Sequence, residues 1–213
     1  MSTNFLSLPS ELRNNIYEQL LEVQTPIRPY TPWKPRPQLT PGLLRVNQTI
    51  HKEASSVLYG NNSFYLTRCG VELFFKQIGR KNSSYIRHIE IPFPRFDHLN
   101  VQDVTLDENS SRMLAEIQSY CTNLTTIEIP MNSIDQTEVV LDKFGDNLVA
   151  EALVMLDFRF RAISSLQKII VNAHIYKYYI GQRSYIEERN SYMRERMLNH
   201  GWTFNTQFIH WWK

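Results

Sequence analysis

Six histidines and two cysteines are the residues with the readiest chemistry in this chain. His51, His88, His98, His174, His200 and His210 are scattered, and no HExxH or CxxC spacing groups them. His88 and His174 fall on two segments read below as neighbouring strands, the one place where two imidazoles would come close. Solvated or hydrogen-bonded histidines are the simpler reading. Cys69 follows Arg68, a cation that would lower a thiol pKa, but no base is marked beside it. A serine nucleophile would want a GxSxG elbow, and none occurs. The seven glycines form neither GxGxxG nor GxxxxGK[ST], so the backbone cradles for phosphate are missing. Glu187 and Glu188 lie among Arg183, Arg189 and Arg194, where surface i,i+4 pairing explains them. The expectation is a non-enzyme with no catalytic residue, no metal and no cofactor.

What holds such residues in place must then serve binding. The 213 residues are 42% hydrophobic and 21% charged, enough for a sizeable core and close to a globular average. Eleven Tyr and eleven Phe make that core bulky. A net charge of +2, from 23 basic and 21 acidic residues, gives no electrostatic footprint for nucleic acid. Two cysteines are too few for a secreted disulfide scaffold. Sequons at Asn47, Asn61, Asn82, Asn109 and Asn123 mean little without a secretory signal, and MSTNFLSLPSELRNN has neither a basic start nor a long apolar run. No window approaches a membrane span. These features predict a cytoplasmic or nuclear protein with neither nucleic acid nor membrane as partner.

The segment FLSLPSELRNNIYEQLL, Phe5 to Leu21, predicts an amphipathic helix. Pro9 suits its first position and Glu11 suits the dipole of its first turn. Leu8, Leu12, Ile16 and Leu20 recur every four residues, and Tyr17 and Leu21 widen the stripe. The stripe has two readings: core of its own domain, or a docking surface for another protein. Residues 24–42 hold six of the ten prolines, so no helix persists there. PxxP spacings at Pro26, Pro29, Pro32 and Pro35 would suit a proline-binding domain, but a stiff connector is the favoured reading. A second helix, LLRVNQTIHKEASSVLYG, is expected to bury Leu43, Val46, Ile50, Ala54, Val57 and Leu58. Gly60 would end it in a left-handed turn. A short strand, residues 63–66, follows.

From there a rhythm repeats. GVELFFKQIG precedes YIRHIEIP, SSRMLAEIQSYC precedes NLTTIEIP, and LVAEALVMLDFRFRAI precedes SLQKIIVNA. Strands centred near Ile89, Ile127 and Ile170 alternate with helices, which predicts parallel pairing. The spacing of about 40 residues exceeds that of a leucine-rich repeat. A degenerate leucine-rich-repeat-like array of helix–strand units and a compact α/β sheet with chance similarity are equally good accounts. A charged helix, SYIEERNSYMRERMLNHGW, is expected to turn Tyr185, Ile186, Tyr192, Met193 and Met197 inward and to stop at Gly201. A last strand in WTFNTQFIHWW would follow, with Trp202, Trp211 and Trp212 capping the array rather than marking an exposed contact.

The first third of the chain resembles the F-box-like proteins of filamentous fungi. Leu8-Pro9, Glu11-Leu12-Arg13, Ile16-Tyr17, Leu43 to Asn47, His51 with Glu53-Ala54, and Leu58 to Asn62 with Phe64 carry the resemblance. The proline-rich insertion is longer than a standard F-box link, and Tyr59 and Phe64 stand where a tryptophan commonly ends the motif. The resemblance implies an α/β (α+β) chain: residues 1–60 an F-box-like helical module with its insertion at 24–42, and residues 61–213 a repeat-like region with a short parallel sheet. It implies docking of a Skp-type adaptor, and so a cullin-type ubiquitin ligase, through Leu8, Pro9, Leu12, Ile16 and Leu20 of the first helix and Leu43, Leu44, Val46 and Ile50 of the second. The repeat-like region would bind an unidentified target protein. A general protein-binding scaffold of one integrated domain, without any ligase role, is the alternative. Burying four or five apolar side chains yields roughly 6–15 kcal/mol gross. Association costs about 4–15 kcal/mol, so docking needs both helices.

Overall fold

The computed structural model describes residues 4–29, 39–100, 103–132, 146–176 and 194–209. A 3-10 turn at Phe5–Ser7 leads into α1 (Ser10–Leu21). Pro9 sits one place before the predicted position, as the N-cap, with extended ψ. A second 3-10 turn, Pro41–Arg45, precedes α2 (Gln48–Asn61). The second helix therefore starts later than expected, because Asn47 caps it: its side chain accepts a hydrogen bond from the Ile50 N–H at 2.9 Å. Gly60 lies inside α2, which runs on to Asn61, so the expected left-handed stop is absent.

Five strands then alternate with helices. They are β1 (Ser63–Tyr65), β2 (His88–Glu90), β5 (Thr126–Asn132), β6 (Lys168–Tyr176) and β7 (Thr203–Ile209). All pair in parallel, in the spatial order β1-β2-β5-β6-β7, each new strand joining the edge left by the one before. Between them run α3 (Val71–Ser83), α4 (Glu108–Tyr120) and α5 (Asp146–Arg161). A helical stretch at 194–199 leads into β7. The α/β expectation, with parallel strands near Ile89, Ile127 and Ile170, matches this sheet. An antiparallel hairpin, β3 (Phe96–Asn100) with β4 (Asp103–Leu106), was not legible in the sequence.

Strand alternation explains the core. Phe64, Ile89, Ile127 and Ile169 align across four strands and are all buried. Ile129, Val171 and Phe204 form a second buried row. Against these rows pack Phe74 and Phe75 of α3, Met113 and Ile117 of α4, and Leu153, Leu156 and Phe160 of α5. The period of two sends the residues between them to the other face. There Tyr65, Glu90, Glu128 and Ile170 align, each half-buried. Trp202 is buried against Phe160, with ring centroids 5.5 Å apart, and its Nε1 donates to Asp157 at 2.7 Å. Met197 points inward as expected. Tyr185, Ile186, Tyr192, Met193, Trp211 and Trp212 lie outside the described residues, as do Pro32, Pro35, Arg183, Glu187, Glu188 and Arg189.

A second, smaller cluster joins the two N-terminal helices: Tyr17, Leu21, Ile50, Ala54, Val57 and Leu58. Ile27 and Tyr59 touch both clusters. Ile27 also makes a parallel bridge to Phe64, donating its N–H to the Ser63 carbonyl at 2.8 Å and accepting from the Tyr65 N–H at 2.9 Å. The chain after α1 thus runs beside the first strand.

Candidate functional site

The polar letters of the N-terminal motif hold its two helices together. Arg13, Tyr17 and Leu21 are spaced by four, so they share one face of α1. Arg13 donates to both Glu53 oxygens, at 2.6 and 2.9 Å, and the Tyr17 hydroxyl donates to Oε2 at 2.9 Å. These bonds hold the Glu53 carboxyl below its ordinary range, the Arg13 hydrogen bonds being the main cause. Burial first, and the Glu53 bond second, push the Tyr17 phenol up to about 12. The Leu44 carbonyl lies 2.8 Å from His51 Nδ1, so the ring is held by the backbone.

Asn62 closes the other end of the helix pair. It is buried, and its amide donates to the carbonyls of Leu21 and Leu58 at 2.8 and 2.9 Å. Its Oδ1 accepts from the Val23 N–H at 2.8 Å. One side chain so ties together the C-terminal ends of both helices. Neither this Asn62 tie nor the Arg13–Glu53–Tyr17 cluster was foreseen. The four-residue spacing of Arg13, Tyr17 and Leu21 was the available signal.

Because Tyr17 and Leu21 are the fully buried pair of α1, the other stripe is turned outward. Leu12 is 49% exposed and Leu20 36%. Pro9 is exposed, and Leu8 and Ile16 are half-buried. Leu43 and Leu44 are half-buried against the helix-pair cluster. Val46 is 60% exposed, contrary to its expected place on the buried face of α2. The physical reason is the late helix start: Val46 precedes the Asn47 cap and escapes the helical register. Ile50 corrects the expectation in the other direction. At 4% exposure it is core, and is not available to a partner. Leu6, 37% exposed, adds to the apolar surface and was missed. The Thr40 N–H donates to the Leu20 carbonyl at 3.4 Å, which brings the second 3-10 turn to the end of α1.

The open face of the sheet carries a hydrogen-bonded polar row. Asn205 donates to Asn172 at 3.0 Å, and Asn172 donates to Glu128 at 3.2 Å. On the next strand Glu90 pairs with Arg28 at 3.2 Å, and the Arg28 guanidinium lies 4.1 Å from the Tyr65 ring centroid. His88 and His174 stand at different levels of the register, aligned with Thr126 and Asn132 respectively. Among the described residues no group of three His, Cys, Asp or Glu could hold a metal ion, and no helix is long and apolar enough to cross a membrane. Comparison with family models, with curated proteins and with solved structures finds no match.

Proposed function

We propose that this chain is a non-enzymatic adaptor, its N-terminal helices docking one polypeptide and its sheet region receiving another. One observation carries the reading. The helix pair is held by Tyr17, Leu21, Ile50 and the Arg13–Glu53 pair, while Leu12, Leu20 and Val46 stay at the surface. A docking surface therefore need not compete with the module's own core.

With the resemblance of residues 8–64, this supports a Skp-type adaptor as the docked partner and a cullin-type ubiquitin ligase as the assembly, working in the cytoplasm or nucleus. Residues 1–60 would act as the F-box-like module, and 61–213 as the leucine-rich-repeat-like array. The Glu128–Asn172–Asn205 row would offer its target a face of polar groups held in fixed places. A second reading, one integrated scaffold with no ligase role, is favoured by the Ile27 bridge to Phe64 and by the residues shared between the two clusters.

Co-expression of the full chain with a fungal Skp-type adaptor tests the choice. Wild type should co-purify with it. Leu12→Asp/Leu20→Asp should lose the adaptor while keeping its melting temperature. Failure of the wild type to bind, or undiminished binding by the folded variant, refutes the adaptor reading.

A further inference from the structure

An open groove of about 990 Å³ lies between α2, the 3-10 turn before it and the end of α3. Arg45, Lys52 and Lys81 line it, with His51 and Tyr85. None of the three cations is ion-paired with a described residue. Lys76 of α3, by contrast, pairs with Glu72, and Arg161 of α5 with Asp157. The one carboxylate on the groove wall among the described residues, Glu53, already has both oxygens engaged by Arg13 and Tyr17. It cannot neutralise the lysines without giving up the helix pair.

We infer that this groove binds an acidic segment of a partner protein. Three cations from a 3-10 turn and two helices line this one groove, and a run of carboxylates complements them. Tyr85 and the stem of Lys81 provide apolar surface for the segment's backbone and side-chain methylenes. Nucleic acid fits less well. The positive lining is one groove long, a second hollow that shares its Tyr85 end carries Glu18 as well as Arg87, and the whole chain carries only +2. A phosphate backbone wants a longer basic stripe. The inference does not rest on the adaptor reading: of the proposed docking residues Leu44 alone lines the groove, and none of the groove's cations belongs to that set.

Fluorescein-labelled octaglutamate, read by fluorescence anisotropy on the full chain, tests this. Saturable binding is expected. Lys52→Glu/Lys81→Glu removes two attractions and adds two repulsions, so binding should weaken about tenfold or more. Arg159→Glu/Lys168→Glu, matched in charge and away from the groove, should bind as wild type does. If Lys52→Glu/Lys81→Glu melts early, Lys52→Gln/Lys81→Gln replaces it, with a smaller loss expected. Absence of saturable binding, equal loss in the two charge-matched variants, or tighter binding of an oligothymidylate of the same length would each overturn the inference.

Discussion

Arg13 and Glu53 meet across 40 positions of sequence through two hydrogen bonds, at 2.6 and 2.9 Å, from one guanidinium to one carboxylate. The fork geometry fixes the angle of α1 on α2 as well as the distance, which a lysine could not do. Tyr17 adds a third bond to the same carboxylate. Half-burial of the pair shields it from solvent more than an ordinary surface bridge.

The cluster makes stability depend on pH at both ends. Glu53 titrates lower in the folded chain than its ordinary 4.5, so it contributes stability above that value. The contribution falls away as pH drops through the lowered folded value. Tyr17 behaves oppositely. Its phenol rises from 10.0 to about 12, so its contribution is complete below pH 10 and lost as pH climbs toward 12. Thermal melts between pH 2 and 6 should show a shallower acid decline in Arg13→Ala than in wild type. Melts between pH 9 and 12 should show a shallower alkaline decline in Tyr17→Phe. Parallel curves for wild type and variant would remove Glu53 and Tyr17 from the account.

Asn62 is the second point of attachment. Asn62→Ala leaves the Val23 N–H and the Leu21 and Leu58 carbonyls without their partner. Each buried unsatisfied group costs about 1–3 kcal/mol, and water entering the vacated space relieves part of it, so a loss of about 3 kcal/mol is expected. Asn62→Asp keeps the acceptor but removes both donors and should be at least as harmful. Urea unfolding by circular dichroism measures both. A loss under about 1 kcal/mol for Asn62→Ala would show that the tie is dispensable.

The sheet was more legible than the helix pair, for a reason visible in particular residues. Ile89 and Ile127 sit in strands buried on one side, so their alternation with polar residues survives in the sequence, and the β-branched run from Ile169 to Val171 marks the third strand. Trp202 and the stop at Gly201, where φ is +78°, were also readable from residue type. The hairpin of residues 96–106 was not, because Phe96, Val104 and Leu106 only lean on the core and leave no clean alternation. In α1 the leucine stripe was the stronger pattern, yet Tyr17 and Leu21 took the interior. A tyrosine beside an arginine at i−4 gains a half-buried carboxylate partner, and hydropathy alone does not register that gain. Val46 misled for a related reason: a capping asparagine at 47 resets the helical register, and apolar residues before it no longer belong to the helix face.

Leu12 and Tyr17 should therefore respond in opposite ways. Leu12→Ala, at an exposed site, is expected to change stability by no more than about 0.5 kcal/mol. Tyr17→Ala empties a fully buried aromatic site and should cost about 3–5 kcal/mol. Denaturant titration of the two variants side by side decides it. Equal losses would mean that the leucine edge is packed and has nothing to offer a partner.

The two thiols offer an independent view of burial. Cys69 is exposed, whereas Cys121 is fully buried and its thiol is pushed up to about 12 by desolvation. A disulfide-exchange reagent at pH 8 should modify Cys69 in the native protein within seconds to minutes. Cys121 should react only after denaturant is added, since the thiolate is the attacking form. Rapid reaction of both in native buffer would mean that α4 opens from the sheet far more readily than its packing implies.

Gly79 interrupts α3 with φ +76° and ψ 164°, a combination open to glycine and closed to residues with a β-carbon. A β-carbon there would meet nothing within 4 Å, so space is not the obstacle. The cost of Gly79→Ala is then purely one of backbone conformation, of order 1–3 kcal/mol. Gly42→Ala serves as the comparison. It too has open space, its φ is not positive, and it should be neutral or slightly stabilising. The interruption matters for more than α3 itself. The turn that follows it carries Lys81 of the groove beside α2, and the Ser83 hydroxyl donates to the Gly79 carbonyl at 2.9 Å. Gly79→Ala should thus lower the melting temperature and weaken octaglutamate binding together, whereas Gly42→Ala should alter neither. A Gly79→Ala protein that melts early but binds the peptide as wild type does would separate the kink from the groove.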